Sequence, residues 1–244
     1  MIDSLIKIFN LVLYQPLLNI LFLFYNYLPG HNLGIAVIFL TILVRTILYP
    51  LSIKAIRSQK ALQELQPKIA EIQKQYKDSK EQQALAIMNL YKDADISPFS
   101  GFFTLLVQFP ILIALYQVFS KGLDSAELVN LYSFVPRPGQ INTIFFAGID
   151  LAQPFLVFAI LAGLLQLVQL KMAMKKSKNE DKMSQFAQLL QKQTLYFFPI
   201  LTIVILLRLP SAIALYWLTT TVFSILQQYF VVKKYDQKRE PKSN

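Results

Sequence analysis

Arg45 is the only charged residue between Lys7 and Lys54, and it stands inside the apolar run from Gly34 to Ile53. Read as a continuous helix, that run places Arg45 about 16 Å from Gly34 and about 12 Å from Ile53. This is near the middle of a hydrocarbon core about 30 Å thick. A central arginine costs roughly 2.5–3.5 kcal/mol on insertion scales, so it faces a partner or a wet cavity. One reading is a structural tether to backbone carbonyls or to a hidden acid. The other is a cation kept free for an anionic group passing through. The long apolar segments contain no acidic residue, which favours the second.

Other polar groups punctuate the apolar segments: Thr41, Thr46, Thr104, Gln108, Gln117, Gln166, Gln169, Thr202, Thr219, Thr220 and Thr221. Singly, such groups serve as interhelical hydrogen bonds worth about 0.6 kcal/mol. Together with Arg45 they would line a wet cavity if the fold brought them together. No carboxylate pair, Ser/His/Asp arrangement or phosphate loop accompanies them, so the sequence points to neither an enzyme nor a nucleotide-driven machine. A single histidine, His31, and no cysteine predict no metal centre, disulfide or lipid-modified cysteine. No cofactor is expected.

The elements that must position these groups are helices in a membrane. The 244 residues are 55% hydrophobic and only 16% charged, against about 25% charged in soluble domains. Uncharged runs cover 8–44, 46–53, 96–120, 151–170, 193–207 and 209–232, several of them near the roughly 20 residues a span needs. The pattern predicts an all-α membrane protein with five transmembrane helices, at 31–55, 98–120, 151–171, 193–208 and 211–231. An amphipathic segment at 1–30, interrupted by Pro16, is expected to lie in the headgroup plane, with a true first span as the alternative. No signal-peptide cleavage pattern follows it, so it is read as retained. Pro136 to Gly139 marks an extended loop within 121–150, and Leu209-Pro210 a tight turn.

Charge orients this layout. Residues 54–97 hold eight Lys or Arg, 171–192 six and 233–244 five, nineteen of twenty-four. Positive loops stay cytoplasmic, which predicts the N-terminus outside and the C-terminus inside, with a cytoplasmic loop at 172–192 and a basic tail at 232–244. The net charge of +10 is then a topology signal. It gives no specific nucleic-acid site, because the basic residues fall in three separate segments.

Residues 56–97 form an element of their own. Ile56, Leu62, Leu65, Ile69 and Ile72 recur at helical spacing, as do Leu85, Met88 and Leu90 beyond Asp78-Ser79-Lys80. Polar residues fill the other faces and Pro67 bends the first helix. The expectation is a cytoplasmic helical hairpin; a solvated linker is the alternative.

Several motifs in order carry a resemblance. They are Gly34 to Pro50 with Val44-Arg45, Leu65-Gln66-Pro67-Lys68-Ile69, Tyr76-Lys77, Leu90-Tyr91-Lys92 and Ser97-Pro98-Phe99-Ser100-Gly101. Further on come Leu106 to Tyr116 with Gln108 and Pro110, Leu215-Tyr216-Trp217, and Gln227-Gln228-Tyr229. The chain resembles the YidC family of membrane protein insertases, which includes the mitochondrial oxidase-assembly and chloroplast Albino-type proteins, over residues 15 to 235. The resemblance implies a five-helix bundle with a hydrophilic groove closed on its outer side. It also implies Arg45, Gln108, Gln169 and Trp217 as groove residues, with Thr41, Thr104, Gln166 and Thr219 as secondary ones. Gln66, Pro67, Lys68, Tyr76, Lys77, Tyr91 and Lys92 are implied to recruit on the hairpin. Two departures are expected: the extra N-terminal span with a periplasmic domain that many Gram-negative relatives carry, and the lipoprotein cysteine that Gram-positive relatives often carry, are not expected here.

The expected activity is insertion of nascent membrane proteins with short, acidic outer tails into a bacterial plasma membrane, without nucleotide hydrolysis. Expected partners are nascent membrane proteins and membrane lipid, with the ribosome and the Sec translocon as candidates, and the chain is expected to act as a monomer. Two alternatives are a small transporter or channel using Arg45 as an anion site, and an assembly chaperone working with the Sec translocon. Against the transporter, the chain has no evident internal repeat.

Overall fold

The computed structural model describes residues 2–95, 100–121, 125–174 and 185–239, with side chains left undescribed at 2, 100–105, 125–127, 185–192, 236, 238 and 239. The Ser97 to Phe99 part of one motif, the side chain of Thr104, the centre of the 172–192 loop and the last five residues of the tail lie outside that description. The described residues are almost wholly helical. Among the described residues nine α-helices follow one another: α1 (Ile2–Phe9), α2 (Gln15–Tyr27), α3 (Leu33–Ile47), α4 (Tyr49–Gln75), α5 (Lys80–Asp93), α6 (Ser100–Ser120), α7 (Leu156–Ala173), α8 (Gln185–Leu206) and α9 (Ser211–Arg239). Two helical stretches, Asp3–Tyr27 and Leu156–Ala173, are each long and apolar enough to cross a membrane. A third is reached if α3 and α4 are counted as one broken span; Leu106–Ser120 and Gln193–Leu206 are shorter apolar helices. The chain is an all-α membrane protein.

Three local features differ from the sequence expectation. Pro16 does not interrupt the first segment: a π-helical turn at Asn10–Tyr14 joins α1 to α2. A widened turn is one way a helix absorbs the carbonyl that a proline leaves without its usual N–H. The run carrying Arg45 does not continue to residue 55: α3 ends at Ile47 and α4 begins at Tyr49. Pro50 explains the break, since it offers no N–H to the Thr46 carbonyl and its ring crowds that carbonyl. Arg45 therefore lies in the last turn of α3, not at mid-span. Finally, α9 runs on to Arg239, so most of the basic tail is helix.

The chain divides into two compact units. The first comprises Met1–Leu48, Leu106–Gln166 and Pro199–Phe223. Its core takes Leu18, Leu21 and Phe22 from α2, Leu33, Ala36, Val37 and Leu40 from α3, and Ala114, Leu115 and Val118 from α6. Ala159 and Ala162 of α7 and Ala212 and Tyr216 of α9 complete it. The spacings of three and four place each set on one face of its helix. Gly163 lets α7 approach α8 closely: a Cβ there would meet Ile203 and sit 3.0 Å from the Pro199 carbonyl oxygen.

The segment 125–155 is folded rather than extended. A 3-10 turn at Ser125–Asn130 precedes a small antiparallel hairpin, β1 (Ile144–Phe145) with β2 (Ile149–Asp150). Ala147 (φ 58) and Gly148 (φ 80) turn it. Leu128, Leu131, Val135 and Leu151 are buried in the core. Polar groups of the N-terminal helix fasten the segment down. Asn19 Nδ2 donates to the Asn130 carbonyl (3.3 Å) and its Oδ1 accepts from the Tyr132 N–H (2.6 Å). The Tyr25 hydroxyl donates to the Gln140 carbonyl (3.4 Å) and accepts from the Asn142 N–H (2.8 Å). Asn26 donates to the Pro136 carbonyl at 2.6 Å.

The second unit comprises Tyr49–Leu105, Leu167–Phe198 and Ser224–Asn244. Within it α4 and α5 form a helical hairpin, turned at Tyr76–Ser79 and started again by Ser79, whose hydroxyl caps the Gln82 N–H at 3.4 Å. Gln83 donates back to the Gln73 carbonyl at 3.1 Å. The α4 side buries Ala61, Ile69 and Ala70. The α5 face does not match it: no residue of α5 is buried, and Leu85 and Met88 are each 49% exposed. Gln63 donates to the Ala173 carbonyl and Gln227 to the Tyr49 carbonyl (3.3 Å), tying α4 to the end of α7 and to α9.

Candidate functional site

Asn32 starts the helix that carries Arg45. Its side chain accepts from the Ile35 N–H (3.2 Å) while its Nδ2 donates to the Ile144 carbonyl of β1 (3.2 Å). This N-cap binds α3 to the folded segment at its first residue. Gly34 adds to the closeness, because a Cβ there would overlap the Phe145 ring. Thirteen residues further along, about 20 Å at the helical rise, Arg45 is partly buried.

Its surroundings are sparse. The Nε–H of Arg45 points to the Thr220 hydroxyl of α9 at 3.5 Å, and no carboxylate pairs with it among the described residues. One turn earlier on α9, the hydroxyl of almost fully buried Tyr216 accepts from Gln108 Nε2 of α6 at 2.8 Å. Thus α9 meets a polar group of α3 through Thr220 and one of α6 through Tyr216.

The remaining sequence candidates fall into different settings. Thr41 is fully buried and its hydroxyl bonds the Val37 carbonyl of its own helix (2.6 Å). Thr219 likewise bonds Leu215 (2.8 Å), and Thr221 bonds Trp217 (2.8 Å). The threonine that reaches across is therefore Thr220, not Thr219. Trp217 is partly buried against the core of the first unit. Gln166 keeps its Oε1 buried with no hydrogen-bond partner among the described residues. Gln169 belongs to the second unit, partly buried on α7.

On the hairpin, Lys68, Lys77 and Lys92 are exposed, whereas Gln66, Pro67, Tyr76 and Tyr91 are partly buried. Burial pushes the Tyr91 phenol above its ordinary range. No cluster of metal-ligating side chains occurs among the described residues.

The polar contacts shared by α3, α6 and α9 lie within a region of known kinship. A family model described as 60Kd inner membrane protein matches residues 23–239. The chain belongs to this family, the YidC family. Relatives within it are close over most of the chain. Membrane protein insertase YidC of Fusobacterium nucleatum is 36% identical over 203 residues, covering 83% of this chain and 87% of that protein. Membrane protein insertase YidC of Oceanobacillus iheyensis is 36% identical over 205 residues, covering 82% and 74%. The protein of the same description from Geobacter metallireducens is 33% identical over 222 residues, 91% of this chain but only 37% of that one. The YidC-family match takes in α3, α6 and α9, and so Arg45, Gln108, Tyr216 and Thr220.

From the sequence, Thr220 stands only as one of many polar groups in the apolar runs and Tyr216 only within the Leu215-Tyr216-Trp217 motif; neither is assigned to the site, although one signal was present. Residues four apart on a helix share a face, so a Tyr and a Thr at that spacing in an apolar run mark one polar stripe.

Proposed function

We propose that the chain is a membrane protein insertase that moves client proteins with short outer tails from the cytoplasm into the bilayer. The observation that carries this reading is Arg45, a partly buried cation that faces the Thr220 hydroxyl at 3.5 Å and pairs with no carboxylate among the described residues. A charge held in low dielectric without a counter-ion attracts an approaching carboxylate far more strongly than one in water. Arg45 would draw an acidic tail part-way in, with Gln108 and Trp217 as groove residues beside it.

The client's apolar segment then passes into lipid, which contributes roughly 25 cal/mol per Å² of apolar surface removed from water. A membrane potential negative inside adds about 2.3 kcal/mol per 100 mV for each negative charge moved outward. No nucleotide is hydrolysed in this scheme. The charge distribution supports five spans, with the N-terminus outside and the hairpin of α4 and α5 in the cytoplasm. There the exposed Leu85 and Met88 and the basic side chains would receive clients from the ribosome or pass them on with the Sec translocon. A monomer suffices for these steps.

The test is reconstitution of the purified chain in liposomes otherwise free of protein. Protease-protected insertion of a single-span client with an acidic tail should exceed that of empty liposomes several-fold. Insertion equal to that of empty liposomes contradicts an autonomous insertase.

A further inference from the structure

Three threonines stand in a row on α9, and their hydroxyls are used differently. Thr219 and Thr221 each bond the carbonyl four residues back in their own helix, at 2.8 Å. This is the ordinary way a helix satisfies a hydroxyl in an apolar setting. The Thr220 hydroxyl instead faces Nε of Arg45, 175 residues away in sequence. The side chain beneath it on the same stripe, Tyr216, is only 2% exposed and is tied to Gln108. Thr220 therefore rises from a well-packed part of α9 and meets the partly buried side chain of Arg45.

Which nitrogen is met matters. A guanidinium has five N–H donors in a planar fork and can receive a carboxylate along its Nε edge or end-on through its two Nη groups. A hydroxyl on Nε occupies the first of these edges and leaves the four Nη–H donors. We propose that Thr220 is a positioning residue for Arg45: by accepting from Nε it turns the guanidinium so that the Nη end receives a client carboxylate. This rests on the insertase reading and deepens it, since it assigns the direction from which the acidic tail is bound. A hydroxyl carries no charge, so the contact leaves the cation unneutralised.

The test is a double-mutant cycle in liposomes reconstituted with the full chain. Insertion is measured for one single-span client carrying either an acidic tail or the same tail with its acids changed to amides. Thr220→Val keeps the shape and removes the hydroxyl. It should lower insertion of the acidic-tail client about threefold to tenfold and leave the amide-tail client unchanged. Thr220→Ser should restore the acidic-tail rate, and Thr221→Val, whose hydroxyl bonds its own helix, should leave both clients unchanged. In an Arg45→Lys background, which has no Nε–H, Thr220→Val should have no further effect.

Three results would overturn the inference: an acidic-tail rate for Thr220→Val equal to that of the unmodified chain while Arg45→Ala loses it, equal losses for both clients, or the same loss with lysine at 45. The first of these leaves the insertase reading standing. Failure of the unmodified chain to insert either client contradicts that reading and the inference together.

Discussion

The two ends of α3 are built on opposite terms. At its start Asn32, Gly34 and the neighbouring α2 side chains are held by directed contacts to the folded segment 125–155. At its other end Arg45 has, among the described residues, a 3.5 Å contact to the Thr220 hydroxyl and no carboxylate partner. Fully satisfied polar groups rigidify a structure, whereas an under-satisfied charge in low dielectric costs stability and stays available. The contrast teaches that the first unit stores its stability at one end of a helix and keeps its reactive charge at the other. Substitutions near Asn32 should therefore change stability, and substitutions near Arg45 should change activity.

The sharpest way to break that contrast is at Gly34. Gly34→Val forces Phe145 from its place against α3 and should cost about 3 kcal/mol through overpacking, read as a lowered thermal midpoint in detergent. Asn19→Leu comes next. It leaves the Tyr132 N–H without its 2.6 Å acceptor, so an unfolding titration should show a loss of about 2 kcal/mol. Tyr25→Phe removes the hydroxyl that links Gln140 and Asn142 and should cost about 1 kcal/mol in the same titration. At the opposite end, Arg45→Ala should not destabilise the chain, since it removes a desolvated charge and leaves no carboxylate unpaired among the described residues. A large destabilisation by Arg45→Ala, or none by Gly34→Val, would erase the distinction between the two ends.

Much of this organisation was legible in the residues. The uncharged runs located helices because a backbone in lipid must satisfy itself internally, and Asp78-Ser79-Lys80 marked the turn of the hairpin. The break at Leu48 was legible too, since Pro50 stands two residues beyond it; the apolar pattern through Ile53 masked it. Pro16 misled in the opposite sense, because a π turn absorbs what a proline removes. The fastening of segment 125–155 was out of reach. Asn19 and Asn130 lie 111 residues apart, and nothing in an asparagine names the carbonyl it will meet. Thr219 and Thr220 differ by about 100° around one helix, and only packing decides which of them faces Arg45.

The central claim is that the unneutralised charge of Arg45 recruits acidic tails. The most direct measurement compares protease-protected insertion of acidic-tail and amide-tail versions of one client by the unmodified chain, Arg45→Ala and Arg45→Lys. The account predicts that Arg45→Ala lowers acidic-tail insertion by about tenfold, equivalent to about 1.4 kcal/mol, spares the amide-tail client, and is rescued by Arg45→Lys. Equal acidic-tail insertion by Arg45→Ala and the unmodified chain would contradict it.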